Sequence, residues 1–247
     1  MVKKATLVWI ALFVTIHLSF PVDDKKTEVV DLLCEYLENP LGIDVVSPRL
    51  SWRIQTDKHG FKQKAYRILV SGSPRNLKNN IGDVWDSKKV VSEQSTGVTY
   101  TGSELKSRQK LFWKVAVWND TDKEPVWSEV STWEMALLNQ SDWQAQWIGS
   151  AEPRLPVVGQ KNPALYFRKK IRIEGNPRNA RAYISGLGYY ELYINGEKVG
   201  DHLLSPNQTN YDKRQVNSFY NDRIANMSMR VLYVTYDITG HLQKGEN

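Results

Sequence analysis

The fold is decided by Phe112-Trp113-Lys114-Val115-Ala116-Val117-Trp118, a stretch rich in aromatic and β-branched residues and without glycine or proline. Successive side chains of a β-strand point to opposite faces, so Trp113, Val115 and Val117 share one face. That face is wholly apolar, whereas the opposite face carries Lys114. The stretch therefore predicts a strand whose Trp113 face lies in a hydrophobic core.

Similar runs occur on both sides of this strand. They alternate or are rich in aromatic residues, turn residues separate them, and they span residues 50–54, 65–70, 98–101 and 130–135. Short strands joined by such turns are typical of a β-sandwich. Cys34 is the single cysteine, so no intrachain disulfide can form. We expect residues 28–137 to form a fibronectin III-like or immunoglobulin-like sandwich without the disulfide.

The chain has nine tryptophans, spread along the predicted strands. Tryptophan buries a large apolar area, which favours core packing for most of them, Trp52 included. The alternative is a platform on which sugar rings stack. Trp85, Trp127 and Trp143 lie next to turns, so these three are the better candidates for exposure.

A second β-unit follows a stretch that contains Pro153, Pro156 and Pro163. Prolines at this density disfavour a central strand or a helix, so residues 138–163 are predicted as a linker that leads into the next domain. Runs typical of strands then cover residues 165–173, 180–185, 189–194 and 231–235. Asn195-Gly196 predicts a hairpin, because both residues accept the positive φ of a tight turn.

Both units carry rare strings in one fixed order. The first has Asn39-Pro40-Leu41-Gly42-Ile43-Asp44 and Pro48-Arg49-Leu50-Ser51-Trp52, and the second has Ser185-Gly186-Leu187-Gly188-Tyr189-Tyr190-Glu191. In these strings the chain resembles the N-terminal, non-catalytic region of bacterial α-L-rhamnosidases, glycoside hydrolase family 78. Further matching strings lie at residues 65–70, 84–87, 107–108, 112–118, 127–129, 133–135, 142–148, 192–196, 199–201 and 211–214.

The resemblance implies an all-β chain in which the sandwich is followed by an incomplete jelly roll over residues 164–247. In the family the jelly roll continues, and an (α/α)6 barrel with the catalytic carboxylates follows it. The chain is therefore expected to be truncated before the catalytic barrel and inactive alone. Its expected partner is the missing C-terminal catalytic region of the same enzyme. A fragment, a split gene and a natural truncation all stay open.

The candidate site is one strand face of the second unit. Alternation places Tyr190, Leu192 and Ile194 inside, which leaves an aromatic face with a carboxylate at its centre. On such a face tyrosines stack on sugar rings and the carboxylate accepts hydroxyl hydrogen bonds. The predicted carbohydrate-binding residues are Tyr189, Glu191, Tyr193, Asn195, Asp201, Asn210 and Tyr211. The alternative is that strands missing from this chain cover the face and make it core.

No cofactor and no metal site is predicted, with calcium as an alternative. Calcium takes about six to eight oxygen ligands, and the turns hold Asn195, Asp201, Asn207, Asn210, Tyr211 and Asp212. The turn preference of Asn and Asp explains the same residues. The four histidines are far apart and, with Cys34, show no metal-ligand spacing.

Carboxylates that could catalyse hydrolysis show no paired spacing. Glycoside hydrolysis needs two carboxyl groups that face each other across a sugar-binding cleft. The available ones are interpreted as turn formers and solvated strand residues; they are Asp83, Asp86, Glu134, Glu191 and Asp201. No catalytic residue is therefore assigned.

The N-terminus has the order of a secretory signal. Lys3 and Lys4 precede an apolar run over residues 5–20, which Pro21 ends. Residues 1–22 are predicted as a signal peptide, with a retained membrane anchor as the alternative. We therefore expect the protein to be exported to a periplasmic, extracellular or cell-surface location.

The formal net charge is +6, from 33 basic and 27 acidic residues. The basic residues are dispersed among acidic ones, so no nucleic-acid partner is predicted. The leading hypothesis is the accessory, substrate-recognition portion of a secreted α-L-rhamnosidase that acts on rhamnose-containing glycans or glycosides. The alternatives are a free-standing carbohydrate-binding module and a protein-binding, adhesion-type β-sandwich.

Overall fold

The computed structural model describes residues 27–120, 124–150, 164–207 and 231–247. The predicted signal peptide lies outside these residues. None of the helices within the described ranges is long and apolar enough to cross a membrane. We call residues 27–138 the first unit and the described residues from 164 to 247 the second unit.

The described residues of the first unit form eleven strands and one short helix. Its strands are β1 (Thr27–Cys34), β2 (Leu37–Glu38), β3 (Leu41–Ile43), β4 (Arg49–Thr56), β5 (Ala65–Ser71), β6 (Trp85–Asp86), β7 (Val90–Val91), β8 (Val98–Thr99), β9 (Lys110–Trp118), β10 (Val126–Trp127) and β11 (Ser131–Met135). Helix α1 (Pro74–Lys78) follows β5, where the Ser73 hydroxyl accepts a hydrogen bond from the Arg75 amide and caps the helix.

These strands form two sheets that enclose one core. The first sheet has the order β2-β1-β4-β8, and the second has the order β3-β11-β9-β5-β6, with β10 and β7 paired to β9 and β5. All pairs are antiparallel except β3 with β11. The immunoglobulin-like β-sandwich and the all-β class expected from the sequence are confirmed.

The centre of the core lies on β9, as its alternation predicts. Trp113, Val115 and Val117 are at most 1% exposed. The Trp133 ring meets Trp113 edge to face, with ring centroids 6.5 Å apart. Trp52, from the opposite sheet, is also buried, and its indole N–H donates to the Gln63 side-chain oxygen at 2.9 Å. Burial of these rings supplies much of the apolar area that stabilises the first unit.

The three tryptophans expected to be the most exposed are each half-buried against a neighbouring side chain. Trp85 packs on the Tyr100 ring at 5.2 Å, and Trp143 packs on Tyr233 at 5.0 Å. The Trp127 ring covers the ammonium of Lys114 at 4.2 Å. A position beside a turn does not fully expose these rings, because each packs against a side chain that is distant in sequence.

Cys34 is buried in the core of the first unit, with 1% of its surface exposed. Burial, and to a smaller degree the neighbouring Glu35 carboxylate, raises the pKa of the Cys34 thiol to about 12. The thiol is therefore protonated at neutral pH and has little nucleophilic character.

The described part of the second unit contains three antiparallel strand pairs. The strands are β12 (Arg172–Ile173), β13 (Arg181–Ser185), β14 (Tyr193–Ile194), β15 (Glu197–Lys198), β16 (Tyr233–Asp237) and β17 (Gly245–Glu246). The pairs are β12 with β17, β13 with β16 and β14 with β15. Two of the strands expected here are shorter than predicted, since only residues 172–173 of 165–173 and 193–194 of 189–194 are paired.

One face of the β13–β16 pair packs against the first unit. Arg181, Tyr183 and Tyr233 lie on this face, because residues directly opposite each other in the register share a side. The Tyr233 hydroxyl accepts a hydrogen bond from the Leu137 amide at 3.0 Å. At Gly42, which has φ +78°, an added Cβ would lie 2.6 Å from the Thr235 hydroxyl oxygen. The two units are therefore in close contact.

A buried ion pair joins the units. The Arg181 guanidinium donates to both carboxylate oxygens of Glu134, from Nε at 2.9 Å and from Nη2 at 2.8 Å. The side chains are 8% and 3% exposed. Nη1 of Arg181 also lies 3.0 Å from a carboxylate oxygen of Asp237. Glu134 was interpreted from sequence as a solvated strand residue, and that interpretation is wrong because the second unit covers it.

Candidate functional site

The predicted Asn195-Gly196 hairpin is present in the second unit. It connects β14 to β15, with Tyr193 opposite Lys198 and Ile194 opposite Glu197. Asn195 and Gly196 have φ values of 52° and 86°. Both values lie in the left-handed region that a two-residue turn of this kind requires, so the sequence signal identified the turn correctly.

The aromatic face expected before this hairpin faces solvent. Tyr189 and Tyr193 are 53% and 56% exposed, and Glu191 between them is exposed as well. The residues of the opposite set are half-buried; they are Tyr190, Leu192 and Ile194. The alternation of the side chains is thus retained, although most of this segment is not paired as a strand.

Glu191 is the centre of a small polar cluster, which we call the Tyr193 cluster and define as Glu191, Tyr193 and Lys198. The Tyr193 hydroxyl donates to one carboxylate oxygen at 2.9 Å, and the Lys198 ammonium donates to the other at 2.5 Å. Lys198 lies opposite Tyr193 in the hairpin register, which brings all three side chains together.

The same hydrogen bonds govern ionisation within the Tyr193 cluster. The bonds from Lys198 and then Tyr193 lower the pKa of the Glu191 carboxyl, so Glu191 is a carboxylate at neutral pH. The carboxylate in turn raises the pKa of the Tyr193 hydroxyl. The cluster therefore presents one phenol, one carboxylate and one ammonium, which together can accept and donate hydrogen bonds to a hydroxylated ligand.

Half-buried rings support the exposed face from below. The Tyr190 hydroxyl donates to the Ile184 carbonyl oxygen at 3.2 Å and lies 3.3 Å from the Tyr236 hydroxyl. Tyr236 on β16 is 7% exposed, and the His202 ring meets it edge to face at 5.8 Å. Because β16 also contacts the first unit, these rings connect the site to the rest of the fold.

Asn195 has a structural role in the hairpin. Its side-chain amide donates to the His241 carbonyl oxygen and to the Asn247 side-chain oxygen, each at 3.0 Å. Asp201 follows Gly200 and is exposed. Asn210 and Tyr211 lie outside the described residues. Of the seven predicted site residues, the structure thus brings Glu191 and Tyr193 into direct contact.

Within the described ranges, no group of three or more His, Cys, Asp or Glu residues is arranged to hold a metal ion. The oxygen-rich set considered for calcium includes Asn210, Tyr211 and Asp212, which lie outside these ranges. The carboxylate of Glu191 is engaged by Lys198 and Tyr193. The Tyr193 cluster is therefore better suited to hydrogen bonding with a ligand than to metal coordination.

Sequence reasoning missed Lys198, which completes the Tyr193 cluster. The signal was available, because a two-residue turn at Asn195-Gly196 fixes the register and places residue 198 opposite residue 193. It also missed the Glu134–Arg181 pair, which joins residues 47 positions apart. No local pattern identifies that pair.

Two family models match the chain. The model described as "Rha78A-like, N-terminal immunoglobulin domain" covers residues 29–139. The model described as "Alpha-L-rhamnosidase N-terminal domain" covers residues 175–247. Both descriptions define the same class of protein, the N-terminal β-domains of rhamnosidases.

Individual relatives agree with the models. An α-L-rhamnosidase of Formosa agariphila is 41% identical over 228 residues, which cover 85% of this chain and 22% of that protein. The chain belongs to the α-L-rhamnosidase family. It spans about 22% of the length of this relative.

Two solved structures share the fold. An α-L-rhamnosidase from Dictyoglumus thermophilum superimposes with a TM-score of 0.73 at 37% identity, covering 89% of this chain and 24% of that one. A rhamnosidase from Aspergillus terreus superimposes with a TM-score of 0.65 at 25% identity, covering 90% of this chain and 23% of that one. Both matches extend across the first and second units.

Proposed function

We propose that this chain is the accessory, substrate-recognition portion of an exported α-L-rhamnosidase that acts on rhamnose-containing glycans or glycosides. Family membership supports the rhamnosidase context. The exposed Tyr189–Tyr193 face is the single observation that carries the recognition role, because exposed aromatic rings beside placed polar groups are the usual elements of a sugar site. The cationic start and apolar run of residues 3–20 support export.

In this proposal the chain contributes binding and leaves the chemistry to a catalytic region. A tyrosine ring stacks on the apolar face of a rhamnose unit, and the polar groups of the Tyr193 cluster bond its hydroxyls. Lys198 and Tyr193 hold the Glu191 carboxylate in one position, so little side-chain freedom is lost when a sugar binds. Recognition of this kind keeps a rhamnosylated substrate near the catalytic region and raises its effective concentration there.

Replacing Tyr193 with alanine is expected to weaken binding of a rhamnosyl glycoside by about tenfold or more. Stacking of a nucleic-acid base on an aromatic side chain contributes about 1–3 kcal/mol, and we expect a sugar ring to gain a value within this range; about 1.4 kcal/mol is tenfold in affinity. Calorimetric titration of the full chain with a rhamnose-capped flavonoid gives the affinity. Tyr193→Phe separates the ring from the hydroxyl, since it keeps stacking and loses the bond to Glu191.

Leu187→Ala is the matched control for this titration. Leu187 is exposed in the same unit, at 61%, and it lies outside the Tyr193 cluster. The Leu187→Ala chain is expected to bind the rhamnosyl glycoside with the same affinity as the unchanged chain. Equal affinities for Tyr193→Ala and the unchanged chain, or no binding by the unchanged chain, would contradict the recognition role.

A further inference from the structure

An open groove with a volume of about 630 Å³ lies on the first unit, on the outer face of strands β1 and β4. Tyr36 lines the groove, and so do Asp31, Arg53, Lys62 and Glu93. Its volume is within the range of about 300–1,000 Å³ that is usual for small-molecule sites. The groove is on a different unit from the Tyr193 cluster and shares no residue with it.

The backbone presents Tyr36 in a conformation that tyrosine rarely adopts. Glu35 and Tyr36 form the two-residue turn between β1 and β2, where Cys34 lies opposite Leu37. Their φ values are 49° and 64°. Turns of this type favour Asn and Gly, because a bulky L side chain is strained at positive φ. Strain of this kind concentrates at functional sites, where the side chain has a use other than stability.

Arg49 fixes the position of this strained tyrosine. Its guanidinium donates to the Glu35 carboxylate, at 2.6 Å from Nη2, and its backbone amide donates to the same carboxylate at 2.6 Å. The guanidinium carbon lies 5.0 Å from the centroid of the Tyr36 ring. Tyr36 nevertheless remains 55% exposed. The ring is thus supported by Arg49 while a large part of it is accessible to a ligand.

The charges around the groove favour a neutral ligand. Arg53 donates to Asp31 at 2.6 Å, and Lys62 and Glu93 add one charge of each sign to the lining, with Glu93 also paired to the neighbouring Lys64. The two acidic and two basic side chains that line the groove therefore carry no net charge. They still offer many hydrogen-bond donors and acceptors, which match a ligand with several hydroxyls.

We infer that this groove binds a neutral oligosaccharide, with Tyr36 stacked on a sugar ring and the Asp31–Arg53 pair bonded to its hydroxyls. The site is additional to the Tyr193 cluster and belongs to the other unit. A chain with both sites holds a glycan at two points, which increases avidity when one glycan reaches both. The two sites are independent, so evidence against binding at one does not count against binding at the other.

The test compares three forms of the full chain on an array of neutral oligosaccharides. They are the unchanged chain, Tyr36→Gly and Tyr193→Ala. We expect at least one neutral glycan whose affinity, measured afterwards by calorimetry, falls by about tenfold or more in Tyr36→Gly and is kept in Tyr193→Ala. Tyr36→Gly suits the positive φ, so its unfolding midpoint in urea is expected to be no lower than that of the unchanged chain.

A second variant keeps the test decisive. Arg53→Met removes a side chain that is 59% exposed, so it is expected to leave the fold intact while it weakens binding of the same glycan. The inference is overturned if no neutral glycan binds, or if Tyr36→Gly and Arg53→Met both bind with unchanged affinity. Loss of all binding in Tyr193→Ala alone also overturns it, and that result supports the proposed function.

Discussion

Replacing Arg181 with methionine is expected to lower the free energy of unfolding by about 3–5 kcal/mol, the usual cost of removing one partner of a buried ion pair. The Glu134 carboxylate, 3% exposed, would remain buried between the two units without its cation. Methionine keeps most of the apolar stem of arginine, so the loss reports the charge. Urea unfolding followed by tryptophan fluorescence measures the change.

Two further variants test whether the loss of stability comes from the unpaired buried charge. Lys170→Met removes one partner of the exposed Lys170–Glu246 pair, with side chains 63% and 64% exposed, and is expected to cost less than about 1 kcal/mol. Glu134→Met combined with Arg181→Met removes both buried charges and is expected to recover much of the lost stability. An Arg181→Met chain as stable as Lys170→Met would show that the buried pair does not hold the units together.

Trp113→Ala is expected to destabilise the chain by about 3–5 kcal/mol, because it leaves a large cavity at the centre of the sandwich. Trp113 is 0% exposed and packs against Trp133. Among the described residues its indole nitrogen has no hydrogen-bond partner. Trp113→Phe therefore removes an unsatisfied N–H together with part of the ring, and a smaller loss is expected.

Thermal or urea unfolding of Trp147→Ala provides the comparison, since Trp147 is 65% exposed. Exposed substitutions usually change stability by less than about 0.5 kcal/mol. If Trp113→Ala were as mild as Trp147→Ala, the first unit would not depend on the packing of β9. If Trp113→Phe were as costly as Trp113→Ala, retaining an aromatic ring at this position would not reduce the loss of stability.

The first unit could be predicted well because its signals are local. Strand β9 was expected over residues 112–118 and spans Lys110–Trp118, with the Trp113 face inside. Alternation determines which face is buried whenever only one face is wholly apolar. Residues 50–54 and 65–70 were likewise expected as strands and are found within β4 and β5.

Features that depend on distant contacts could not be predicted. Glu134 lies between Trp133 and Met135, and the alternation of side chains along this strand alone would place Glu134 on the solvent-facing side of the sheet. Its burial is caused by Arg181, which belongs to another unit. The strained turn at Tyr36 was missed for a similar reason, because Glu35-Tyr36 has no Asn or Gly and is held by Arg49 from β4.

The candidate site was predicted in part. The exposure of Tyr189 and Tyr193 followed from alternation with Tyr190 and Leu192. Asn195 was assigned a ligand role, yet its amide is bonded to His241 and Asn247. Sequence identifies Asn at a turn, but it does not reveal whether the side chain bonds the protein or a ligand. The carbohydrate-binding role of the face stays a prediction.

The burial of Cys34 makes its rate of chemical labelling a measure of how often the first unit opens. Because it is the single cysteine of the sequence, any alkylation or thiol exchange adds mass at one position. A protonated thiol that is 1% exposed reacts only in molecules whose core has opened. The rate of labelling under native conditions thus counts opening events in the sandwich alone. The same burial protects the protein from joining into disulfide-linked dimers in an oxidising compartment for as long as that sandwich stays closed.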